Sequence, residues 1–348
     1  MHKPRPLLSI TIVLLACVAV ALGQRPDARG TTAESYYEQG EALYNNQKYR
    51  EALPYYVKAA RVKPSMATAW YRIGWIHNEL EEYGPAIDPL QRAVALVPTY
   101  AAANFELGYA YRKTRRFAEA LSALNATIRL KPDYAAAHYE KGWIYNDQQN
   151  YSEAVTALKA AIRYQANYPD AHNELGQAYR KLQRFPEAIA EYQEAIREDP
   201  DISAAHLALA DIYYYNTKQY REAADAYKLA LQTTPNNAEA QYNLGWCYND
   251  LQQFADAVVT LRKAVELRAN YPEAHNEMGY ALHQLRRYTE AVTQYQIAIS
   301  QKTNYGSAHY NLGMSYLALN NRAGAMQQWR ILQNIDPARA TKLFNQIR

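Results

Sequence analysis

The chain has 348 residues, and its 38 basic and 34 acidic side chains leave a formal net charge of only +4. That balance gives no reason to expect nucleic acid or an anionic membrane surface as a partner. Two cysteines are too few for a disulfide-rich scaffold.

The first 23 residues differ in character from the rest of the chain. A basic start, MHKPR, precedes an uncharged apolar run, PLLSITIVLLACVAVALG, which ends in small residues before Gln24. This order predicts a secretory signal peptide over residues 1–23 that is cleaved near Gly23. We therefore expect an exported protein, either periplasmic or secreted.

Two alternatives would place the protein on a membrane. The apolar run approaches the length that spans a bilayer, so it could remain as an uncleaved anchor. The stretch LLAC also resembles a bacterial lipobox, in which Cys17 would be lipidated. The cleaved signal is favoured over the lipobox because Leu15 is atypical there and apolar residues continue to Leu22. Membrane contact is expected only under one of these alternatives.

Cleavage would leave a short flexible linker, QRPDARGTT, over residues 24–32. The loss of Lys3 and Arg5 would leave 36 basic and 34 acidic side chains. Cys247 would be the only cysteine, so no internal disulfide is expected. We interpret Cys247 as a small buried side chain.

From Ala33 onward the sequence repeats itself about every 34 residues. The decapeptides GWIHNELEEY, GWIYNDQQNY and GWCYNDLQQF begin at Gly74, Gly142 and Gly245. The first two starts differ by two periods, and the last two differ by three periods plus one residue. A second type of decapeptide, exemplified by GYAYRKTRRF, shows the same intervals. A fixed period of this size predicts a repeat array, with one residue inserted between Gly176 and Gly245.

The units resemble the tetratricopeptide repeat (TPR) family, whose helix–turn–helix unit reads W-x2-L-G-x2-Y, then A-x3-F, then Pro. The second unit matches this pattern with Trp70, Gly74, Ala86 and Pro98. We count nine units, which start at Ala33, Ala67, Ala101, Ala135, Pro169, Ser203, Ala238, Pro272 and Gly306. The resemblance implies an all-α fold, an α-solenoid in which repeats over residues 33–337 wind into a right-handed superhelix.

Small residues recur at two positions of the unit. Counted from the first residue of each unit, position 8 is Gly in eight units and Ala210 in the sixth, and position 20 is always Ala. Positions 4, 7, 8 and 11 share one stripe of the first helix. The pattern predicts that the two helices of each unit pack closely. Residues 338–348 are predicted to form a helix that caps the last repeat.

The resemblance places the first helices along a concave surface. On a helical wheel, positions 5, 9 and 12 lie about 120° from the packing stripe, so their side chains are expected to face this groove. The predicted ligand-binding residues are Trp75, Trp143, Trp246, Asn78, Asn146, Asn249, Tyr71, Phe105, Tyr109, Tyr139, Tyr242 and Tyr280. Tyr at position 5 could simply pack against its neighbours. Trp at position 9 is unusual in the family, so we expect the three Trp side chains to serve recognition and to add little stability.

The sequence contains no motif of a catalytic, cofactor or metal site. Position 4 carries His138, His172, His206, His275 and His309. Equivalent positions in stacked repeats lie about 10 Å apart and point the same way, so these side chains would not converge on one ion. We interpret them as packing residues, and we predict no enzymatic activity, no cofactor and no metal site.

The predicted function is a non-enzymatic protein–protein interaction scaffold that acts outside the cytoplasm and binds a partner segment in the groove. Asn amides can pair with a peptide backbone while aromatic rings hold side chains. The alternative is a glycan or cell-wall polymer, because Trp stacks on sugar faces and Asn and Asp bind hydroxyls. An acidic chaperone tail is not expected, because it would need basic residues at positions 2, 5 and 6 and only Arg72 fits.

The sixth unit departs from the others. It has Ala210 in place of Gly, Leu207 and Asp211 at two groove positions, and the extra residue within YYYNTKQY. We expect the extra residue to lie in the turn between the two helices. We also expect this unit to interrupt the aromatic row and to leave two binding lobes.

Overall fold

The computed structural model describes residues 32–348, which divide into two compact units, one ending at Pro132 and one running from Asp133 to Arg348. The predicted signal peptide and all but the last residue of the predicted linker lie outside the described residues. Every regular element of the described part is a helix. The fold class predicted from the repeat, an all-α solenoid, is confirmed by this succession of packed helix pairs.

The unit ending at Pro132 contains three helix–turn–helix pairs in its described part. Within the described part of this unit, helices that follow one another in the sequence pack against each other. The helices are α1 (Ala33–Asn45), α2 (Tyr49–Val62), α3 (Ala67–Glu79), α4 (Tyr83–Leu96), α5 (Ala101–Lys113) and α6 (Phe117–Leu130).

The unit from Asp133 continues the same pattern and ends in an additional helix. Its elements are α7 (Ala135–Asp147), α8 (Tyr151–Tyr164), α9 (Pro169–Lys181), α10 (Phe185–Glu198), α11 (Ser203–Asp211), a π-helical segment (Ile212–Asn216), α12 (Tyr220–Thr233), α13 (Ala238–Asp250), α14 (Phe254–Leu267), α15 (Pro272–Gln284), α16 (Tyr288–Gln301), α17 (Gly306–Ala318), α18 (Arg322–Ile335) and α19 (Pro337–Ile347).

Each first helix ends in the same way although none of these ends uses glycine. In the pair α7–α8, Gln149 adopts a left-handed conformation with φ of 62°. The next amide, that of Asn150, donates to the carbonyl of Tyr145 at 2.8 Å. This is the hydrogen-bond pattern of a Schellman motif, which satisfies carbonyls left free at the helix end. The second helix therefore starts at once and folds back on the first.

The small residues lie where the two helices of a pair meet, as predicted. A Cβ atom built on Gly142 would be 2.5 Å from Cγ of Leu158, and one on Gly74 would be 2.3 Å from Cγ of Leu90. Ala154, on the second helix of its pair, is completely buried. The close approach of the paired helices thus depends on glycine at position 8 and alanine at position 20.

The extra residue of the sixth unit lies in a helix rather than in the turn, so that expectation was wrong. Thr217 donates its amide hydrogen to the carbonyl of Ile212 at 3.1 Å, which is a π-type hydrogen bond. Lys218 still takes the left-handed conformation that precedes α12. The wider π turn absorbs one residue and leaves the connection to the second helix intact.

Helix α19 packs against α17 and α18. Ala340, Leu343 and Ile347 form its buried face, and Leu343 lies directly over Gly313 of α17. From residue 32 onward, no helix combines the length and the apolar character needed to cross a bilayer.

Candidate functional site

Trp75 packs between two tyrosine rings of the preceding pair. Its ring centroid lies 4.9 Å from that of Tyr44 and 5.3 Å from that of Tyr49, both in edge-on arrangements. The side chain is half-buried. Trp75 therefore belongs partly to the packing between successive pairs, and only part of its surface faces solvent.

Trp246 lies in a larger aromatic cluster. Its ring centroid is 5.3 Å from Tyr214, 6.2 Å from Tyr215 and 5.7 Å from Tyr242. Trp246 and Trp143 are both half-buried. The sixth unit thus supplies two of the rings around Trp246. Between the sixth unit and α13 the aromatic row is therefore continuous, contrary to the expectation that this unit interrupts it.

Other aromatic residues at position 9 make the same kind of contact. Tyr109 meets Tyr83 edge-on at 5.9 Å, and Tyr280 meets Phe254 edge-on at 6.1 Å. In both cases the partner is the first residue of the second helix of the preceding pair. Tyr280 remains 37 % exposed. These rings are fixed at one edge, and Tyr280 offers an open face to solvent.

Tyrosines at position 5 pack against a tyrosine in the loop that precedes the next pair. Tyr71 lies 4.9 Å from Tyr100, and Tyr139 lies 5.0 Å from Tyr168. Burial raises the pKa of both Tyr71 and Tyr139 well above the usual range. Tyr242 makes the equivalent contact with Tyr271. These tyrosines therefore contribute to packing between successive helix pairs.

The three predicted asparagines are buried, so the expectation that they face an open groove was wrong. The amide nitrogen of Asn146 donates to the backbone carbonyl of Glu174 at 3.0 Å and to its carboxylate at 2.8 Å. Asn78 and Asn249 make the same two bonds, to Glu106 and Glu277. Each asparagine therefore joins its own first helix to the next first helix, 28 residues further on.

Two predicted aromatic residues are also buried. Phe105 is 5 % exposed and Tyr109 is 9 % exposed. The cation of Lys113 lies 5.2 Å from the ring of Tyr83 and 5.4 Å from that of Tyr109, and so covers both rings. The partly exposed residues of the predicted set are Tyr71, Trp75, Tyr139, Trp143, Tyr242, Trp246 and Tyr280. Five of them, Tyr139, Trp143, Tyr242, Trp246 and Tyr280, lie in the unit from Asp133, and we call these five the aromatic surface.

Because Trp75 packs between two tyrosine rings, replacing it should lower stability by more than is expected for a side chain that only faces the groove. Trp75→Ala should lower the free energy of unfolding by about 1–3 kcal/mol, because two aromatic pairs are lost, each worth about 0.5–1.5 kcal/mol beyond the buried area. Trp75→Phe keeps a ring and should cost less. Urea titration followed by circular dichroism measures both variants. A change within about 0.5 kcal/mol for Trp75→Ala would mean that the ring does not hold the fold.

Side chains at position 4 share a structural role. Several of them donate a hydrogen bond to a backbone carbonyl six residues earlier, beyond the end of the preceding second helix. Trp70 bonds to Pro64 at 2.9 Å, His206 to Pro200 at 3.0 Å and His309 to Thr303 at 3.0 Å. The hydrogen bonds of His206 and His309 agree with the interpretation of these histidines as packing residues. No group of three potential metal-binding side chains occurs within residues 32–348.

His172 differs from its equivalents because its partner is charged. Its Nδ1 lies 2.7 Å from the carboxylate of Glu191, whereas His275 and His309 meet the neutral amides of Gln294 and Gln328. The hydrogen bond to Glu191 raises the pKa of His172 above its ordinary value. The charged pair is therefore stabilising at low pH.

This pair predicts a pH-dependent contribution to stability. Because the pKa of His172 is raised in the folded state, the stabilisation is fully present below the pKa of unfolded histidine and is lost as pH rises through the folded value. Glu191→Gln should therefore lower the melting temperature at about pH 5.5 and change it little at about pH 8.5. Gln294→Glu should introduce the same pH dependence at His275. Equal effects at both pH values would contradict the assignment.

Cys247 is completely buried on α13. Burial raises the pKa of its thiol to about 12. A thiol that stays protonated is a poor nucleophile, so Cys247 serves packing, as the sequence indicated.

Family models for the tetratricopeptide repeat match six stretches of the chain. The stretches are 37–101, 105–172, 147–203, 173–238, 217–279 and 276–337. Together they take in almost all of residues 37–337. The chain belongs to the tetratricopeptide repeat family. The matched stretches span more than one unit each, so the count of nine repeats stays a prediction.

Several solved structures resemble this chain, and two of them are described as TPR proteins. YrrB, described as a TPR protein with an unusual peptide-binding site, is 25% identical, with a TM-score of 0.51 over 55% of this chain and 99% of its own. The C-terminal part of a TPR repeat-containing protein from Cytophaga hutchinsonii is 17% identical, with a TM-score of 0.53 over 79% and 99% of the two chains. PilF from Pseudomonas aeruginosa is 21% identical, with a TM-score of 0.48 over 61% and 97%. No curated protein matches the sequence.

Membership of the TPR family carries a general expectation about function. Proteins of this family are generally interaction scaffolds that bind protein or peptide partners, and the fold is typically non-enzymatic. The aromatic surface offers partly exposed rings on the first helices.

Proposed function

We propose that this TPR protein is a non-enzymatic scaffold that binds an extended segment of a partner protein on its aromatic surface, and that it does so outside the cytoplasm. The proposal depends chiefly on one observation. Rings such as Tyr280 and Trp246 are fixed on one side by aromatic neighbours and remain partly exposed on the other. Rings that are already fixed lose little conformational entropy when they bind.

The likeness to YrrB supports a peptide as the ligand, since that protein is described as having a peptide-binding site. The hydrogen bonds of the three buried asparagines limit which groups of the protein are available to contact the partner. Their amide hydrogens are engaged by glutamates of the next helix, so contacts with the partner fall to the rings. A segment with apolar or cationic side chains fits such a surface.

A pull-down with matched variants tests the proposal. The full chain is immobilised and exposed to extracts of its own cells, with retained proteins identified by mass spectrometry. Tyr280→Ala combined with Trp143→Ala should reduce capture of the partner at least about tenfold, since a recognition ring is commonly worth about 2 kcal/mol or more. Tyr164→Ala removes an exposed tyrosine from the second helix α8 and should leave capture unchanged.

Two other outcomes of the pull-down would contradict the proposal. Capture that is insensitive to Tyr280→Ala and Trp143→Ala would contradict the proposed surface. Retention of a wall polymer or glycan in place of a protein would contradict the proposal and favour the glycan alternative.

The export part of the proposal needs its own measurement. Mass spectrometry of the protein from the periplasm or medium should give a mature start near Gln24, because the N-terminal segment has the order of a signal peptide. An intact Met1 in the membrane fraction, or lipid on Cys17, would contradict cleavage and place the protein on a membrane.

A further inference from the structure

The first two helix pairs show how this chain holds an arginine between successive first helices. Arg72 of α3 donates to both carboxylate oxygens of Glu41, at 2.7 and 2.9 Å. Its guanidinium lies 4.1 Å from the ring centroid of Tyr44. Tyr56 donates to the same carboxylate at 2.7 Å and so fixes it in place. A planar cation is therefore held by a carboxylate and by an aromatic ring three residues further along α1.

The same arrangement occurs at α11, but without its arginine. Asp211 takes the place of Glu41 and accepts a hydrogen bond from Tyr227 at 2.7 Å, as Glu41 does from Tyr56. Tyr214 follows Asp211 by three residues, as Tyr44 follows Glu41. The residue of α13 that corresponds to Arg72 is Asn243, which is shorter and uncharged.

The π-helical segment enlarges the aromatic part of this arrangement. It carries Tyr215 directly after Tyr214, and the two rings meet at 4.9 Å. Tyr215 is 51 % exposed, and its ring lies 6.2 Å from Trp246 at an angle of 77°. Its hydroxyl reaches Asn243 only at 3.5 Å. The position that corresponds to the Arg72 guanidinium is therefore bordered by Tyr215 and Trp246, which remain partly open to solvent, and by Tyr214, which is buried.

The charged side chains around the position that corresponds to the Arg72 guanidinium favour the binding of a cation. Asp211 makes one contact with Arg180, at 3.4 Å, in place of the two short bonds that Glu41 makes with Arg72. Asp250 accepts a hydrogen bond from the Tyr214 hydroxyl. Two carboxylates, those of Asp211 and Asp250, thus make contacts at this position, and Arg180 approaches one of them.

We propose that the patch formed by Asp211, Tyr214, Tyr215, Asn243 and Trp246, here called the aromatic–acidic patch, binds the guanidinium of an arginine in the partner protein. The incoming side chain takes the position that Arg72 takes between the first two pairs. This inference rests on the proposed function, since the arginine is carried by the bound segment.

Titration with a minimal probe tests the patch directly. The full chain contains five tryptophans, whose indole NH signals are separate probes in a ¹⁵N-tryptophan NMR spectrum, and Trp246→Phe identifies the signal of Trp246. Nα-acetyl-arginine methylamide should shift this signal saturably. The citrulline analogue has the same shape without the charge and should bind at least about tenfold more weakly, as expected for a cation–π site with a carboxylate. No saturable shift, or equal affinities, would overturn the proposal.

A second variant keeps the test independent of any loss of folding. Asn243→Arg places an internal guanidinium in the patch, so it should raise the melting temperature by about 1–3 °C and abolish the shift caused by the arginine probe. Asn243→Gln has no charge and should leave both unchanged. Unaltered binding of the probe by Asn243→Arg would contradict the assigned position.

The two proposals can fail separately. If the arginine probe does not bind while capture of the partner still depends on Tyr280 and Trp143, this inference fails and the proposed function stands. If the probe binds but no partner depends on the aromatic surface, the proposed function fails and the patch remains a cation site.

Discussion

Gly142→Leu should lower the free energy of unfolding by about 1–3 kcal/mol, because overpacking a close contact forces side chains and backbone apart. A Cβ atom on Gly142 would already stand 2.5 Å from Cγ of Leu158. Ala154 fills the same contact without exposed surface, so little space is available for relaxation. Urea titration monitored by circular dichroism measures the change.

Gly84 provides a matched control on α4. An added Cβ atom there would meet nothing within 4 Å. Gly84→Leu should therefore be neutral or slightly stabilising, since leucine favours the helix more than glycine does. Equal losses for the two substitutions would mean that glycine at position 8 is not required for close packing of the helices.

Asn249→Ala should cost about 2–3 kcal/mol at neutral pH, because it removes a hydrogen bond to a charged group and leaves buried acceptors without a donor. The amide nitrogen of Asn249 lies 3.2 Å from both the carbonyl and the carboxylate of Glu277. Asn46→Ala is the control, since Asn46 directly follows α1, is exposed, and donates to the backbone carbonyl of Ala42 in that helix. It should change stability by less than about 0.5 kcal/mol.

The pH dependence of this variant gives a second check. Burial raises the pKa of Glu277. A carboxyl group with a raised folded-state pKa contributes stability that is fully present below its unfolded pKa and is lost as pH rises through the folded value. The charged form needs the donor of Asn249 most, so the cost of Asn249→Ala should be larger at about pH 7 than at about pH 4. A cost that is the same at both values would exclude a role for the Glu277 charge.

The sequence predicted the contacts within each helix pair, because those contacts follow from the period of one helix. Gly142 and Ala154 are examples, since their small size at fixed positions has a direct steric meaning. The contacts between successive pairs were harder to predict. A helical wheel shows that Asn146 points away from its own partner helix, but it does not show that Glu174 of the next first helix lies opposite.

A signal for these glutamates was present in the sequence. Glutamate occupies position 6 of the unit that follows each asparagine at position 12, in the pairs Asn78 and Glu106, Asn146 and Glu174, and Asn249 and Glu277. This internal covariation indicates contact between successive units. The π-helical segment had no such signal, because one inserted residue can be absorbed by a turn or by a helix.

We propose above all that the first helices, rather than the second helices, carry the partner-binding surface. Site-specific photocrosslinking tests it most directly. A photoreactive phenylalanine analogue replaces either Tyr280 on α15 or Val259 on α14, which is 69 % exposed on a second helix. In cells, position 280 should crosslink to one partner protein and position 259 should not. Crosslinks of equal yield from both positions, or from position 259 alone, would contradict the account.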